Sequence, residues 1–261
     1  MTTKQEPQSC KKNSESAGKG VSIDFTEVKA HCQHCDLNPV CHPPGLNTDE
    51  MESLDQWFPT RRRLKRGESL YEIGEAFNAI YAVRSGFFKT VLPSPQQRDQ
   101  VTGFQMTGEI LGMDGIGSGF HACQAVALEV SEVCLMPYGN VEELASNLPN
   151  LHAHLNKLMS QRIVHDQSAF KILANLRSES RLAAFLLDLG KRFSTLGYSP
   201  NTFVLRMTRE EIGSYLGLSL ETVSRIFSRF QEDGIVDVQT RHLQITNPEA
   251  LSEIAAGKNS H

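Results

Sequence analysis

The sequence predicts an α+β protein in three successive parts: a small antiparallel barrel or sandwich, one long helix, and a C-terminal helix-turn-helix followed by a hairpin. Three observations carry this. From about Arg63 to Tyr138 short apolar runs alternate with glycines at turn spacing. From about Pro149 to Leu173 the pattern is helical, with no Gly or Pro after its first residue. Residues 203 to about 250 then read strand, helix, turn, helix, hairpin, short helix. At 261 residues the chain has room for one large domain or two smaller ones.

The elements follow in order. Residues 1 to about 20, containing Cys10, are polar and charged with almost nothing apolar, and read as a disordered leader. A Cys- and His-rich stretch runs from Val28 to Pro44. A short helical pattern follows, with Asn47, Thr48, Asp49 and Glu50 as its cap region and Met51, Leu54, Trp57 and Phe58 on one side. The strand candidates are Leu70 to Ile73, Ala79 to Val83, Phe87 to Leu92, Gln100 to Phe104 and Val126 to Met136, punctuated by Gly67, Gly74, Gly86, Gly103, Gly108 and Gly112. The expected boundaries are a leader over 1–20, a sensor part over 21–145, a long helix over 146–175 and a C-terminal domain over 176–261.

In the long helix Met159, Ile163, Asp166, Phe170 and Leu173 recur at the alternating four- and three-residue spacing of a two-helix seam, which calls for a second copy of the chain. In a symmetric dimer Asp166 approaches its own counterpart. Two like charges about 4 Å apart repel by about 1 kcal/mol in water and about 4 kcal/mol at an effective dielectric of about 20. The alternative is a rotated helix that points Asp166 to water.

Residues 208–230 carry the strongest local signal. Thr208 with Glu211 forms a capping box for a first helix that buries Ile212 and Leu216. Gly217-Leu218-Ser219 turns the chain into a second helix with Val223, Ile226, Phe227 and Phe230 inside and Glu221, Ser224, Arg225 and Arg229 outside. Such a second helix enters a DNA major groove. Arg225 suits guanine, Glu221 a cytosine amino group, and Ser224 either a base or a thymine methyl.

Composition bounds the function. Apolar residues at 39% and charged residues at 21% exclude a disordered or fibrous chain. No apolar run approaches a membrane span and the N-terminus lacks a secretory core, so a reducing cytoplasm is expected. The net charge of −4 argues mildly against nucleic acid, yet residues 171–245 hold ten Lys or Arg against eight Asp or Glu, so the acidic excess lies elsewhere.

Cys32, Cys35 and Cys41 form C-x2-C-x5-C, one thiolate short of a four-ligand site; Cys134 and Cys123 are candidates for the fourth. Four thiolates hold either zinc or an iron–sulfur cluster, and His31, His34 or His42 can substitute in a zinc site. A site closed by four cysteines leaves no open position for catalysis, so an enzyme is not expected.

The stretches HCQHCDLNPVC (31–41), YAVRSGFFKT (81–90), GIGSG (115–119), SEVCLMP (131–137), LMSQRIVHDQ (158–167), RLAAFLLDL (181–189) and MTREEIGSYLGLSLETVSR (207–225) together resemble the FNR/Anr branch of the CRP-FNR bacterial transcription regulators. The resemblance runs from about Val28 to the end. It implies a cyclic-nucleotide-binding-like double-stranded β-helix barrel as sensor, a dimerisation helix and a winged helix-turn-helix. It further implies a [4Fe–4S] cluster on Cys32, Cys35, Cys41 and Cys134, lost to oxygen. Glu221, Ser224 and Arg225 become the DNA-reading triplet, Met159, Ile163, Asp166 and Phe170 the dimer face, and palindromic DNA and RNA polymerase the partners. Cys10 and Cys123 have no implied role. Nucleotide-binding relatives use Gly-Glu and an Arg pair. Gly108-Glu109 is present here, but Ala122 and Cys123 stand where the Arg pair is expected, and Leu220 replaces an Arg ahead of the recognition Glu. Asp36, beside the second cysteine, is expected to affect how the cluster responds to oxygen.

Overall fold

The computed structural model describes residues 28–29, 60–94, 99–147, 149–175 and 177–257. The leader, Cys32, Cys35, Cys41, Asp36 and the pattern around Met51 to Phe58 lie outside the described residues.

Two antiparallel sheets make the N-terminal half. One, in the order β1-β2-β9-β4-β7, joins β1 (Val28–Lys29), β2 (Thr60–Leu64), β9 (Ser131–Pro137), β4 (Ala79–Ser85) and β7 (Ile110–Leu111). The other, in the order β3-β8-β5-β6, joins β3 (Ser69–Tyr71), β8 (Gln124–Ala127), β5 (Phe87–Leu92) and β6 (Gln100–Met106). Leu64, Leu70, Tyr71, Val83, Phe88, Leu111 and Val133 fill the space between them. β9 shows the two-residue period of a sheet with one face inward: Ser131 and Val133 are buried while Glu132 and Cys134 are half-exposed on the other face.

The expected single strand from Val126 to Met136 is two strands in different sheets. Apolar pattern runs through the intervening turn, but Gly86 approaches Ser131 so closely that a Cβ there would lie 2.2 Å from the Ser131 hydroxyl. That hydroxyl accepts the Phe87 N–H at 3.2 Å, fixing the corner.

Helices begin at Tyr138, earlier than the pattern past Glu142 suggested: α1 (Tyr138–Asn147), α2 (Pro149–Asn175) and α3 (Ser178–Thr195). Val141 of α1 and Leu151 and Leu155 of α2 pack on Ile80 of β4 and Met136 of β9, which is why β4 is buried on both faces. After β10 (Thr202–Val204) come α4 (Arg209–Leu216) and α5 (Leu220–Glu232), the hairpin β11 (Val236–Gln239) and β12 (His242–Ile245), and α6 (Pro248–Ala255). β10 joins the hairpin as a third strand, order β10-β12-β11.

The C-terminal domain does not stand apart. Its core of Leu182, Phe185, Ile212, Val223, Phe227 and Leu243 is continuous with Phe87, Val101, Phe104 and Met106 of the barrel. Phe104 of β6, Phe185 of α3 and Tyr215 of α4 meet with ring centroids 5.3–5.9 Å apart. Polar contacts border them. Lys89 Nζ lies 2.8 Å from Glu211 Oε1, Val101 N donates to Ser214 Oγ at 2.9 Å, and Arg206 Nε lies 3.2 Å from Glu129 Oε2.

Candidate nucleic-acid interface and metal centre

The helix-turn-helix is built by local chemistry. Thr208 Oγ1 accepts the Glu211 N–H at 3.1 Å while Glu211 Oε2 accepts the Thr208 N–H at 2.7 Å, so the expected capping box forms. Gly217 ends α4 at φ 64°, a left-handed position that favours glycine. Ser219 Oγ then accepts the Thr222 N–H at 3.2 Å and opens α5. Val223, Ile226, Phe227 and Phe230 are buried, leaving Glu221 and Arg225 exposed and Ser224 half-buried on one polar face. Arg229, expected on that face, is exposed but committed: its Nη1 is 2.6 Å from Glu179 Oε1 of α3. The turn between β11 and β12 holds Thr240 at φ 60° and Arg241 exposed beside it, giving the wing a basic tip.

On α2, Met159, Ile163 and Phe170 are all exposed, Phe170 at 72%. Among the described residues nothing covers this apolar stripe of α2. Asp166 shares the stripe but is not a bare carboxylate. Arg162 Nε is 3.0 Å from its Oδ1, one turn earlier, and His165 Nδ1 is 3.5 Å away. Burial works against the Asp166 charge, yet the contacts from His165 and Arg162 outweigh it and hold the carboxyl below its ordinary range. His165 also reaches α3, its Nε2 3.7 Å from Asp188 Oδ2. The approach to Asp166, then to Asp188, raises the imidazole to about 9 against the opposing effect of burial. His165 was not legible from sequence, because its second carboxylate is 23 residues away.

Cys134 and Cys123 are separated by the fold. Cys123 precedes β8, and its thiol points at Asp114 Oδ2, 3.5 Å away. Burial, then the Asp114 charge, pushes that thiol up to about 12, where it is a poor ligand and nucleophile. Cys134 sits on the outer face of β9, opposite Arg61 of β2 on one side and Ala82 of β4 on the other. Arg61 in turn is opposite Val28 of β1.

The nucleotide-like features have other occupations. Glu109, of the Gly108-Glu109 pair, is gripped by Arg192 of α3. Where the phosphate-binding Arg pair is missing, Asp114 Oδ2 accepts the Ala122 N–H at 2.7 Å and the Cys123 N–H at 3.3 Å. A carboxylate of the chain itself therefore holds the amides that could cradle an anion.

A barrel of this topology, a long exposed-stripe helix and a winged helix-turn-helix define a DNA-binding transcription regulator of the CRP type. Residues 61–147 match the cyclic nucleotide-binding domain family, and residues 180–254 match the Crp-like helix-turn-helix domain family. The chain belongs to the CRP-FNR family. It is 44% identical to the transcriptional regulatory protein btr of Bordetella pertussis, over 89% of this chain and 96% of that one. It is 40% identical to the fumarate and nitrate reduction regulatory protein of Escherichia coli (86% and 90%), and 41% identical to the transcriptional activator protein Anr of Pseudomonas protegens (88% and 94%). Among solved structures it is similar to FixK2 of Bradyrhizobium japonicum, with TM-score 0.69 and 25% identity over 75% of this chain and 96% of that one. No helix among the described residues is long and apolar enough to cross a membrane.

Proposed function

We propose that this chain is an oxygen-responsive transcription regulator, acting in the reducing cytoplasm as a homodimer on palindromic DNA, with DNA binding dependent on a [4Fe–4S] cluster held by Cys32, Cys35, Cys41 and Cys134. The sheet register carries the reading. Val28, Arg61 and Cys134 are level across β1, β2 and β9, so Lys29 ends β1 two strand spacings, about 10 Å, from the Cys134 strand. Cys32 follows three residues later, and three extended residues reach about 10 Å. Four soft thiolates suit iron–sulfur chemistry. The buried Nε atoms of Arg61 and Arg84, which have no hydrogen-bond partner among the described residues, suit an anionic group on the Cys134 side of the sheet.

When bound, the cluster supplies oxygen-labile iron–thiolate bonds between the N-terminal cysteines and the barrel. The chain's own residues supply the route onward. Two residues after Cys134, Met136 packs against the cluster of Ile80, Val141 and Leu151, the last from α2, and α2 presents Met159, Ile163, Asp166 and Phe170 to the second copy. Each protomer then offers Glu221, Ser224 and Arg225 to one half-site, and RNA polymerase is the further partner. The names of the relatives, regulators of fumarate and nitrate reduction and Anr, support the same reading.

Anaerobic purification with iron and sulfide analysis tests it. The expected product is brown, carries about four irons and four sulfides per chain, bleaches in air and then releases DNA. Colourless protein with stoichiometric zinc would overturn it.

A further inference from the structure

The face of the sheet that carries Cys134 has more positive charge than it needs. Arg61 Nε lies 3.7 Å from Glu132 Oε1 and Arg84 Nη1 lies 3.1 Å from the same oxygen, so two guanidinium groups share one carboxylate. The Arg61 side chain is only 14% exposed. The Nε atoms of both arginines are shut off from solvent and have no hydrogen bond among the described residues. A buried donor without a hydrogen-bond acceptor is costly, so its retention asks for a reason.

The register supplies one. Arg61 is directly opposite Cys134 in the antiparallel β2–β9 pair, and directly opposed residues share a face with Cβ atoms about 4.5–5.5 Å apart. Glu132 lies two residues before Cys134 on that same face. Arg61 therefore starts level with the cysteine, and its guanidinium runs along that face toward Glu132. Four thiolates on an iron–sulfur core leave a net anion, and one added electron makes it more negative. A fixed cation at the ligand favours the more negative state.

We propose that Arg61, with Arg84 on the other side of the Cys134 strand and Glu132 between them limiting their charge, is the electrostatic counterpart of the cluster at Cys134 and raises its reduction potential. The inference rests on the cluster reading above and adds residues that are not ligands. In the couple concerned a mediator dye gives one electron to the cluster, with no bond made or broken and no proton moved.

The test is an equilibrium redox titration of the full-length, anaerobically reconstituted protein, followed by the electron paramagnetic resonance of the reduced cluster. Arg61→Met keeps the apolar stem and removes the charge; it is expected to hold iron as the parent does and to shift the midpoint to more negative potential. Glu132→Gln is expected to shift it the opposite way, and Arg61→Lys to stay near the parent. Packing damage has no reason to give shifts of opposite sign, and Glu132→Gln carries the test if Arg61→Met fails to fold. Iron-loaded variants with unmoved midpoints would overturn the inference while leaving the cluster reading intact. A parent chain that takes up no iron would overturn both.

Discussion

Arg192 of α3 grips Glu109 of the barrel with both arms of its guanidinium, Nε to Oε1 at 2.8 Å and Nη2 to Oε2 at 2.7 Å, and adds a bond to the Phe104 carbonyl at 2.6 Å. Burial opposes the Arg192 charge, but Glu109 and Asp188 more than offset this and hold its proton more firmly than usual. Arg192→Met leaves Glu109 facing an apolar stem and should cost about 2–4 kcal/mol in urea unfolding. The Glu109→Gln, Arg192→Met double variant should cost clearly less than the sum of the single ones. Strict additivity would show that the pair does not join the domains.

His165 makes stability depend on pH. It is faced by Asp166 and Arg162 from α2, Asp188 and Arg192 from α3, and Tyr215 from α4. Its imidazole is raised from 6.5 to about 9 in the fold, so the folded state binds the proton more tightly than the unfolded state. The stabilisation is therefore fully present below about pH 6.5 and disappears as pH rises through about 9. Unfolding free energy should fall by on the order of 1–2 kcal/mol between pH 6.5 and 9.5, discounted for partial exposure. His165→Gln should remove that step.

Arg162 shields Asp166 on the stripe expected to meet a second copy. In the proposed dimer, Arg162→Ala uncovers two facing carboxylates and should weaken association by about 1 kcal/mol or more, roughly fivefold. Asp166→Ala should act in the other direction and give a dimer that binds DNA without iron. Sedimentation velocity of the iron-free proteins reads both. An Asp166→Ala chain that stays monomeric and inactive would remove Asp166 from the dimer contact.

In the proposed DNA-reading triplet, Arg225 is the residue whose guanidinium suits guanine. Arg225→Ala should weaken binding to the preferred half-site by about 1–3 kcal/mol, roughly 10- to 100-fold, with loss of discrimination at one base pair. Fluorescence anisotropy on oligonucleotides substituted singly across the half-site would identify that position. A uniform loss at every sequence would make Arg225 a phosphate contact instead.

Asp114 closes the anion cradle formed by the Ala122 and Cys123 amides, and Glu109 is spent on Arg192. Cyclic nucleotide should therefore give no heat in titration calorimetry at millimolar concentration and leave DNA affinity unchanged. Saturable binding would show that Asp114 yields its place.

The sequence by itself determined the helix-turn-helix, because each signal there is local. The Thr208–Glu211 box, the Gly217 turn and the buried face from Val223 to Phe230 involve residues three or four positions apart, and an intrahelical period encodes burial directly. The length of α2 and the exposed stripe of Met159, Ile163 and Phe170 were legible for the same reason. Periodicity says that a residue is buried or exposed, but not against what. It carried a single strand across the turn between β8 and β9. The capping signal showed Glu211 without its Lys89 partner, and the family resemblance implied Glu109 as half of a nucleotide motif without Arg192, 83 residues later. The resemblance had already set Cys134 apart from Cys123; what the fold adds is that the Cys123 thiol meets Asp114 while Cys134 stands opposite Arg61. Those contacts arise where separate elements pack, and tertiary packing alone decides which side chains meet.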